Sequence, residues 1–531
     1  MASQFCVPSA GFEAIVPNHL TNYILRLETL SFYFTAETCE EVINMDADEA
    51  VLDSLQRYPL EENIQEYGVR IISNLASIES TSSEINSRRV LDILMKMLTN
   101  YSNSLCILEH TFVTIGQTVL TFEDQKYLLE SGGITQIINT MEKFNEHSTI
   151  LEHGCRIIGN MAVFEKLRSK VECYGASKAV INAMLLLDQV SEIQLCGCMA
   201  LMNLTANVRT NKLNLLKHGG VSAILSCLNN FSTDSEILLT ALKTLTNIIS
   251  LENACQSVVE KNGVHLLLSL ANTTNFEPEI YSYIATVLSG LTSLKELEFD
   301  ILENIDTALI KILNQYPDSA DITLAFCQTM ENILASELGR KMFIYEDRLS
   351  LILKYTTQFI YHSHIQQIGC KILAIIAMGD MGRIVEEENG INQIMKSLNQ
   401  HQTDSRLHVL ALMILANLSF SAKKEDSQVI FEIVLKTMTQ FTENVEIQSY
   451  ACHVLWRLPF SYNTDQLSRV LNSIRNTLKR HSHEAEVVKT AGKVLHKISQ
   501  DGHQAEVDNV LKSPSLPQLP EFFWQSVKSV S

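Results

Sequence analysis

The chain runs to 531 residues, with 46% apolar and 19% charged residues, enough apolar material for a long continuous core. Its 60 acids against 41 bases leave a net charge of −19, which argues against a direct nucleic-acid or anionic-membrane binder, since both need a broad basic face. The apolar run Ile372 to Met378 is 7 residues, far short of the ~20 that cross a bilayer, so no membrane insertion is expected.

Taken from the N-terminus, residues 1–20 show no periodicity, and the first 25 residues carry no lysine, arginine or continuous apolar stretch, so no signal peptide is expected. Tyr23 to Phe34 is apolar and predicts a helix that closes a separate segment, 1–44, as a cap. The end unit of a stacked array has to cover an exposed core edge, so an atypical sequence belongs there.

From residue 45 a unit recurs in register. Its clearest copy is Ile193 to Thr205, IQLCGCMALMNLT. Aligned on Asn203, the ladder positions are Asn74, Gln117, Asn160, Asn203, Asn247, Gly290, Asn332, Ile375, Asn417, Arg457 and Lys497, with separations of 40 to 44 residues. A fixed period of this size predicts a helical solenoid. Counted from the ladder position, −10, −5, −2 and +1 are apolar, as in Ile193, Cys198, Leu201 and Leu204, or Ile322, Cys327, Met330 and Ile333. Position −6 is often small, and −8, −4 and 0 share another face. A middle helix with three- and four-residue apolar steps, such as Val221, Ile224, Leu225 and Leu228, precedes each ladder helix. Gly133, Gly175, Gly220, Gly263 and Gly390 introduce it, where a positive φ or a close backbone approach is needed.

Cys155, Cys196, Cys198, Cys327, Cys370 and Cys452 lie inside these apolar helices, where a thiol serves as a small buried hydrophobe. A reduced intracellular protein is expected, cytoplasmic with the nucleus as a second compartment. The last two units shorten to 40 residues, lose the glycine pair and replace the asparagine. Residues 501–531 form a tail rich in proline and aromatics. There Phe522, Phe523 and Trp524 either dock on the last repeat as a lid or offer a second contact to a partner.

Three helices per unit, a glycine before the second and the segments GCRIIGNMA (154–162), GCMALMNLT (197–205) and ALMILANLS (411–419) resemble the armadillo repeat family, of the β-catenin and importin α type. The resemblance covers residues 45–500, and paired-helix HEAT repeats are the structural runner-up. It implies an all-α fold: a right-handed armadillo-type α-solenoid of about eleven three-helix repeats with atypical terminal caps. It also implies that the third helices line a concave groove where asparagines bond the backbone of an extended partner segment. That role carries over to Asn74, Asn160, Asn203, Asn247, Asn332 and Asn417. A carboxamide, holding donor and acceptor together, suits an extended backbone. The competing reading is that these side chains tie neighbouring helices together.

At −4 stand Arg70, Val113, Arg156, Met199, Lys243, Thr286, Gln328, Lys371, Met413, His453 and Lys493. Importin α carries tryptophans there for basic cargo; this chain has none, so nuclear-import recognition is not expected. The 0 and −4 positions hold seven Lys or Arg and no acid, where 60 acids in 531 residues would place about 2.5. This predicts bases facing the groove and acids outside it, a track for an acidic or disordered segment held by Arg70, Arg156, Lys243 and Lys371. Glu66, Glu109 and Glu152 at −8 make the early repeats less basic, and solvated lysines on an idle face are the plain alternative.

His362-Ser-His364, His481-Ser-His483 and Cys196-Gly-Cys198 lack the paired spacing of a zinc site, and no phosphate loop or nucleophile elbow is present. No enzyme activity, metal or cofactor is expected. The expected function is a protein-interaction scaffold or adaptor. The alternatives are a transport or exchange factor wrapping a folded partner such as a small GTPase, and a substrate receptor of a ubiquitin ligase.

Overall fold

The computed structural model describes residues 47–523, apart from 78–86, 274–275, 296, 346, 379–384, 386–389, 419–423, 460–461, 514–515, 518 and 520–522. The cap expected at Tyr23 to Phe34, and Phe522 and Trp524 of the tail, lie outside the described residues. Packing divides the chain into two compact units, Met1–Leu294 and Lys295–Ser531. Each is an all-α solenoid, and among the described residues no helix is long and apolar enough to cross a membrane.

The local structure follows from the apolar steps. In the middle helix Gly220–Asn230, Val221, Ile224, Leu225 and Leu228 fall on one stripe, and all four are buried. The ladder helix Ser191–Thr205 is buried on more of its circumference, because it packs on its own middle helix and on the ladder helices Ser148–Val163 and Ser235–Ile248. Its Ile193, Cys198, Leu201 and Leu204 are wholly buried, as are Ile322, Cys327 and Met330 in the second unit. The six cysteines placed in the core by sequence are all buried.

Two positions share the work of the turn before the middle helix. The positive φ falls on Gly132, Gly175 and Gly219, one residue before the helix, and there Asn262 and Asp347 serve as well. The glycine that follows has a different cause. A Cβ on Gly220 would stand 2.4 Å from Leu215 Cδ2 and 2.9 Å from the Leu215 carbonyl oxygen. Gly175 has the positive φ with nothing near its absent Cβ, and Ala176 follows it where other repeats place a second glycine.

In the first unit four consecutive repeats have three helices, from Phe122–Glu130, Gly133–Lys143 and Ser148–Val163 through to Pro278–Leu291. The second unit departs from this. Phe299–Gln315, Lys424–Gln440 and Thr464–Arg480 are each a single 17-residue helix preceding a ladder helix. With no glycine to turn the chain, the first and middle helices run on as one, and the last two repeats are correspondingly shorter. The tail also begins later than residue 501: Gln504–Leu511 is helical and packs on Thr464–Arg480 and Ala485–Ile498.

Two capping devices recur. At −9, Gln65, Gln194, Gln366 and Gln448 are buried and donate to two carbonyls at the end of the preceding middle helix. Gln194 Nε2, for example, reaches the carbonyls of Met184 at 2.8 Å and Leu187 at 3.1 Å. At +8, Gln125, Arg168, Asn211, Cys255 and Arg340 donate to carbonyls at the end of the ladder helix. Both satisfy carbonyls that a helix end leaves without an intrahelical partner.

Candidate functional site

The ladder side chains are half-buried, and where their bonds are seen they reach backwards. Asn160 Nδ2 donates to the Gly116 carbonyl at 3.1 Å, Asn203 to Gly159 at 3.1 Å and Asn247 to Met202 at 3.0 Å. Each acceptor is the residue just before the preceding ladder position. Arg457 keeps the same habit, with Nη1 donating to the Ala416 carbonyl at 2.6 Å. The reading that these side chains tie neighbouring helices together is therefore correct for Asn160, Asn203 and Asn247. It does not exhaust them: a carboxamide has a second N–H and a carbonyl oxygen with two lone pairs. Asn74, Asn332 and Asn417 hold the equivalent half-buried positions on Glu62–Ala76, Ala320–Ile333 and Ser405–Asn417.

Gly116 and Gly159 supply the acceptors without a side chain to cover them. Above them lies a cleft of about 380 Å³, lined by Gln117, Asn160 and Asn203 at the ladder and by Arg156 and Met199 four residues earlier. Leu120 and Cys196 complete its apolar part. Of the residues singled out in the sequence, the structure thus brings Arg156, Asn160 and Asn203 onto one cleft. Lys243 stands further along the first unit, with Nζ 5.4 Å from the Tyr283 ring centroid. Lys371 and Asn417 belong to the second unit.

The expected sorting of charge, bases inward and acids outside, is corrected. Arg70 pairs with Glu66 at 3.0 Å and Arg156 with Glu152 at 3.0 Å, one helical turn apart. Lys243 pairs with Glu279 at 3.0 Å, and Lys371 with Glu331 at 3.5 Å. The acids come from −8, from −11 of the following repeat and from −1 of the preceding repeat. A tally confined to 0 and −4 passes over all of them. The stripe is a row of ion pairs on side chains 22% to 47% exposed on the basic side. Arg70 also donates to Cys106 Sγ at 3.3 Å. The tail is corrected at one residue: Phe523 is fully buried, so its ring is not exposed to a partner.

The family model described as the LRRK2 ARM repeat matches residues 379–513. Darlin of Dictyostelium discoideum is 24% identical over 203 residues, which make up 37% of this chain and 26% of Darlin, so the match spans about a quarter of that relative. Among solved structures, an engineered protein aligns with a TM-score of 0.61 at 21% identity, covering 78% of this chain and 99% of that one. A structure from work on a phosphorylation switch that controls the interaction between cadherin and β-catenin aligns with a TM-score of 0.61 at 11% identity, covering 87% of this chain and 95% of that one. At those identities the likeness is one of fold. The family match over residues 379–513, the ladder and the repeated middle-helix turn agree in supporting an armadillo-repeat family.

Proposed function

We propose that the chain is a protein-interaction scaffold whose first unit holds an extended segment of a partner protein along the ladder helices. Binding, not catalysis, is the activity. The observation that carries this is the cleft where Gln117, Asn160 and Asn203 stand side by side. Asn160 and Asn203 each spend one N–H on the preceding helix, which fixes the carboxamide plane while its oxygen stays available to accept from a backbone N–H. The apolar floor of Leu120, Cys196 and Met199 takes one apolar side chain of the segment.

An acidic residue in that segment has Arg156 within the same cleft, and reaches it by displacing Glu152. An exposed ion pair contributes only ~0.2–1 kcal/mol, so the exchange costs little. Arg70, Lys243 and Asn247 extend the same chemistry within the first unit; Asn332, Lys371 and Asn417 repeat it within the second. A segment of this kind binds as an isolated peptide, which a folded partner such as a small GTPase would not reproduce.

The test is peptide capture by the full chain from a library of short extended peptides. Asn203→Ala and Arg156→Glu are expected to weaken capture about tenfold each, a loss of ~1.4 kcal/mol, with the helical content unchanged. If both variants capture the same peptides as the parent, the cleft is not the site.

A further inference from the structure

The basic residues at −4 considered so far each face a glutamate. At the end of the second unit the pattern reverses. The ladder positions there hold Arg457 and Lys497, and −4 holds His453 and Lys493. They lie on Val445–Arg457 and Ala485–Ile498, two helices that pack on each other. Half-buried Trp456 stands among them, its ring 5.4 Å from the His453 ring and 4.3 Å from Lys493 Nζ. Arg457 is anchored on the Ala416 carbonyl and Lys497 on the Leu458 carbonyl. Those bonds fix the side chains and neutralise neither charge.

Among the described residues no carboxylate forms an ion pair with Arg457, Lys493 or Lys497. Glu486, which faces His453, is paired with Lys489 at 3.7 Å, and Asp501 faces Lys497. His453 is held below its ordinary pKa by burial and then by Lys493 and Arg457, with Glu486 acting against them. Arg457 and Lys493, both close enough to act on His453, repel one another, and an anion relieves that repulsion. In a chain of net charge −19 such a spot stands out.

We propose that His453, Trp456, Arg457, Lys493 and Lys497 form a docking site for an acidic segment of a partner protein, separate from the cleft of the first unit. A segment suits the arrangement better than a single small anion, because the cations are divided between two helices. Packed helices stand ~8–10 Å apart, and the long Arg and Lys side chains lean together to meet alternate residues of an extended strand, ~6.6–6.8 Å apart. Carboxylates of the segment lie on Arg457 and Lys493, and an apolar side chain two residues further on, on the same face of the strand, rests against Trp456.

The chain has two tryptophans, so Trp524→Phe leaves Trp456 as the sole indole reporter in the full-length protein. A short glutamate-rich peptide is expected to change its emission saturably, with an affinity that falls as salt rises. Lys493→Glu weakens binding about tenfold or more and Lys493→Gln less, while Arg156→Glu leaves it unchanged. The milder Gln variant keeps the test valid if charge reversal disturbs the helix. Equal affinity in parent and both Lys493 variants overturns the site. So does inorganic phosphate alone if it saturates the emission change and blocks the peptide, which makes this a free-anion site. Loss with Arg156→Glu and not with Lys493→Glu overturns it too, and leaves the first-unit cleft standing.

Discussion

His408 stands at −9, where four other repeats place a glutamine. As at Gln366 and Gln448, a hydroxyl from the next repeat meets it: Thr437 Oγ1 lies 3.0 Å from His408 Nδ1, much as Thr477 Oγ1 donates to Gln448 Oε1 at 2.6 Å. The imidazole itself is almost wholly buried. Burial lowers the His408 pKa from 6.5 to about 4, so the folded protein keeps the ring neutral. Below pH 6.5 the unfolded chain takes up a proton that the folded chain refuses. Stability is therefore full above that pH and lost as pH falls towards 4, on the order of 2 kcal/mol by pH 5. His408→Gln removes the titration and restores the two-carbonyl cap. Urea denaturation of the second unit at pH 7 and pH 5 is expected to show a smaller difference in this variant than in the parent. An identical loss in both proteins would remove His408 as its source.

Arg348 and Asp306 make the other residue-scale prediction. Arg348 reaches Asp306 Oδ2 through Nε at 3.0 Å and Nη2 at 2.7 Å, and the carboxylate is almost wholly buried. Arg348→Ala strands that charge and is expected to cost ~3–5 kcal/mol. Replacing both with apolar residues, Arg348→Met with Asp306→Leu, recovers most of it. Equal losses in the single and double variants would show that shape, not charge, matters there.

At the scale of the element, the turn into the middle helix separates two demands that the sequence pattern ran together. Gly219 needs its freedom for a φ of 85°, with nothing near its absent Cβ. Gly220 needs the space itself. Gly219→Ala is expected to cost ~1–2 kcal/mol, the left-handed penalty of an L-residue. Gly220→Ala must push Leu215 away and meets its backbone oxygen, so it costs more, ~2–3 kcal/mol. Thermal melts that rank them the other way would refute this division of labour.

The ladder, the apolar stripes and the buried cysteines were legible because the same letters recur at a fixed interval. The +8 cap was not: Gln125, Arg168, Asn211, Cys255 and Arg340 share a donor and a place but span four residue types, and an eye aligned on letters passes over them. Arg168 shows how much rests there, with three bonds to the Ala162, Ala206 and Val163 carbonyls. The site was legible in part for the same reason. Arg156, Asn160 and Asn203 meet as their register requires, while the partners of the bases come from helix faces and neighbouring repeats that a two-position tally does not sample.

For the whole molecule, a chain of stacked repeats has only neighbour contacts to pass a perturbation along, so its stability is a sum of local terms and not one cooperative quantity. Arg348→Ala removes a bond between Phe299–Gln315 and the start of Arg348–Gln358, both in the second unit. Its cost is expected to appear where those helices pack, on Ala320–Ile333 and Ser363–Ala377, and to fade with each repeat beyond. Hydrogen exchange is the measurement, because it reads opening helix by helix. In the variant, amides from Phe299 to Ala377 should exchange on the order of a hundredfold faster, matching a local loss near 3 kcal/mol. Those of Ser148–Val163, Ser191–Thr205 and Ser235–Ile248 should keep their parent rates, and the peptide cleft they carry should keep its affinity. Uniform acceleration across all of these helices would mean that the array unfolds as one body. Stability and binding could then not be adjusted separately in the two units.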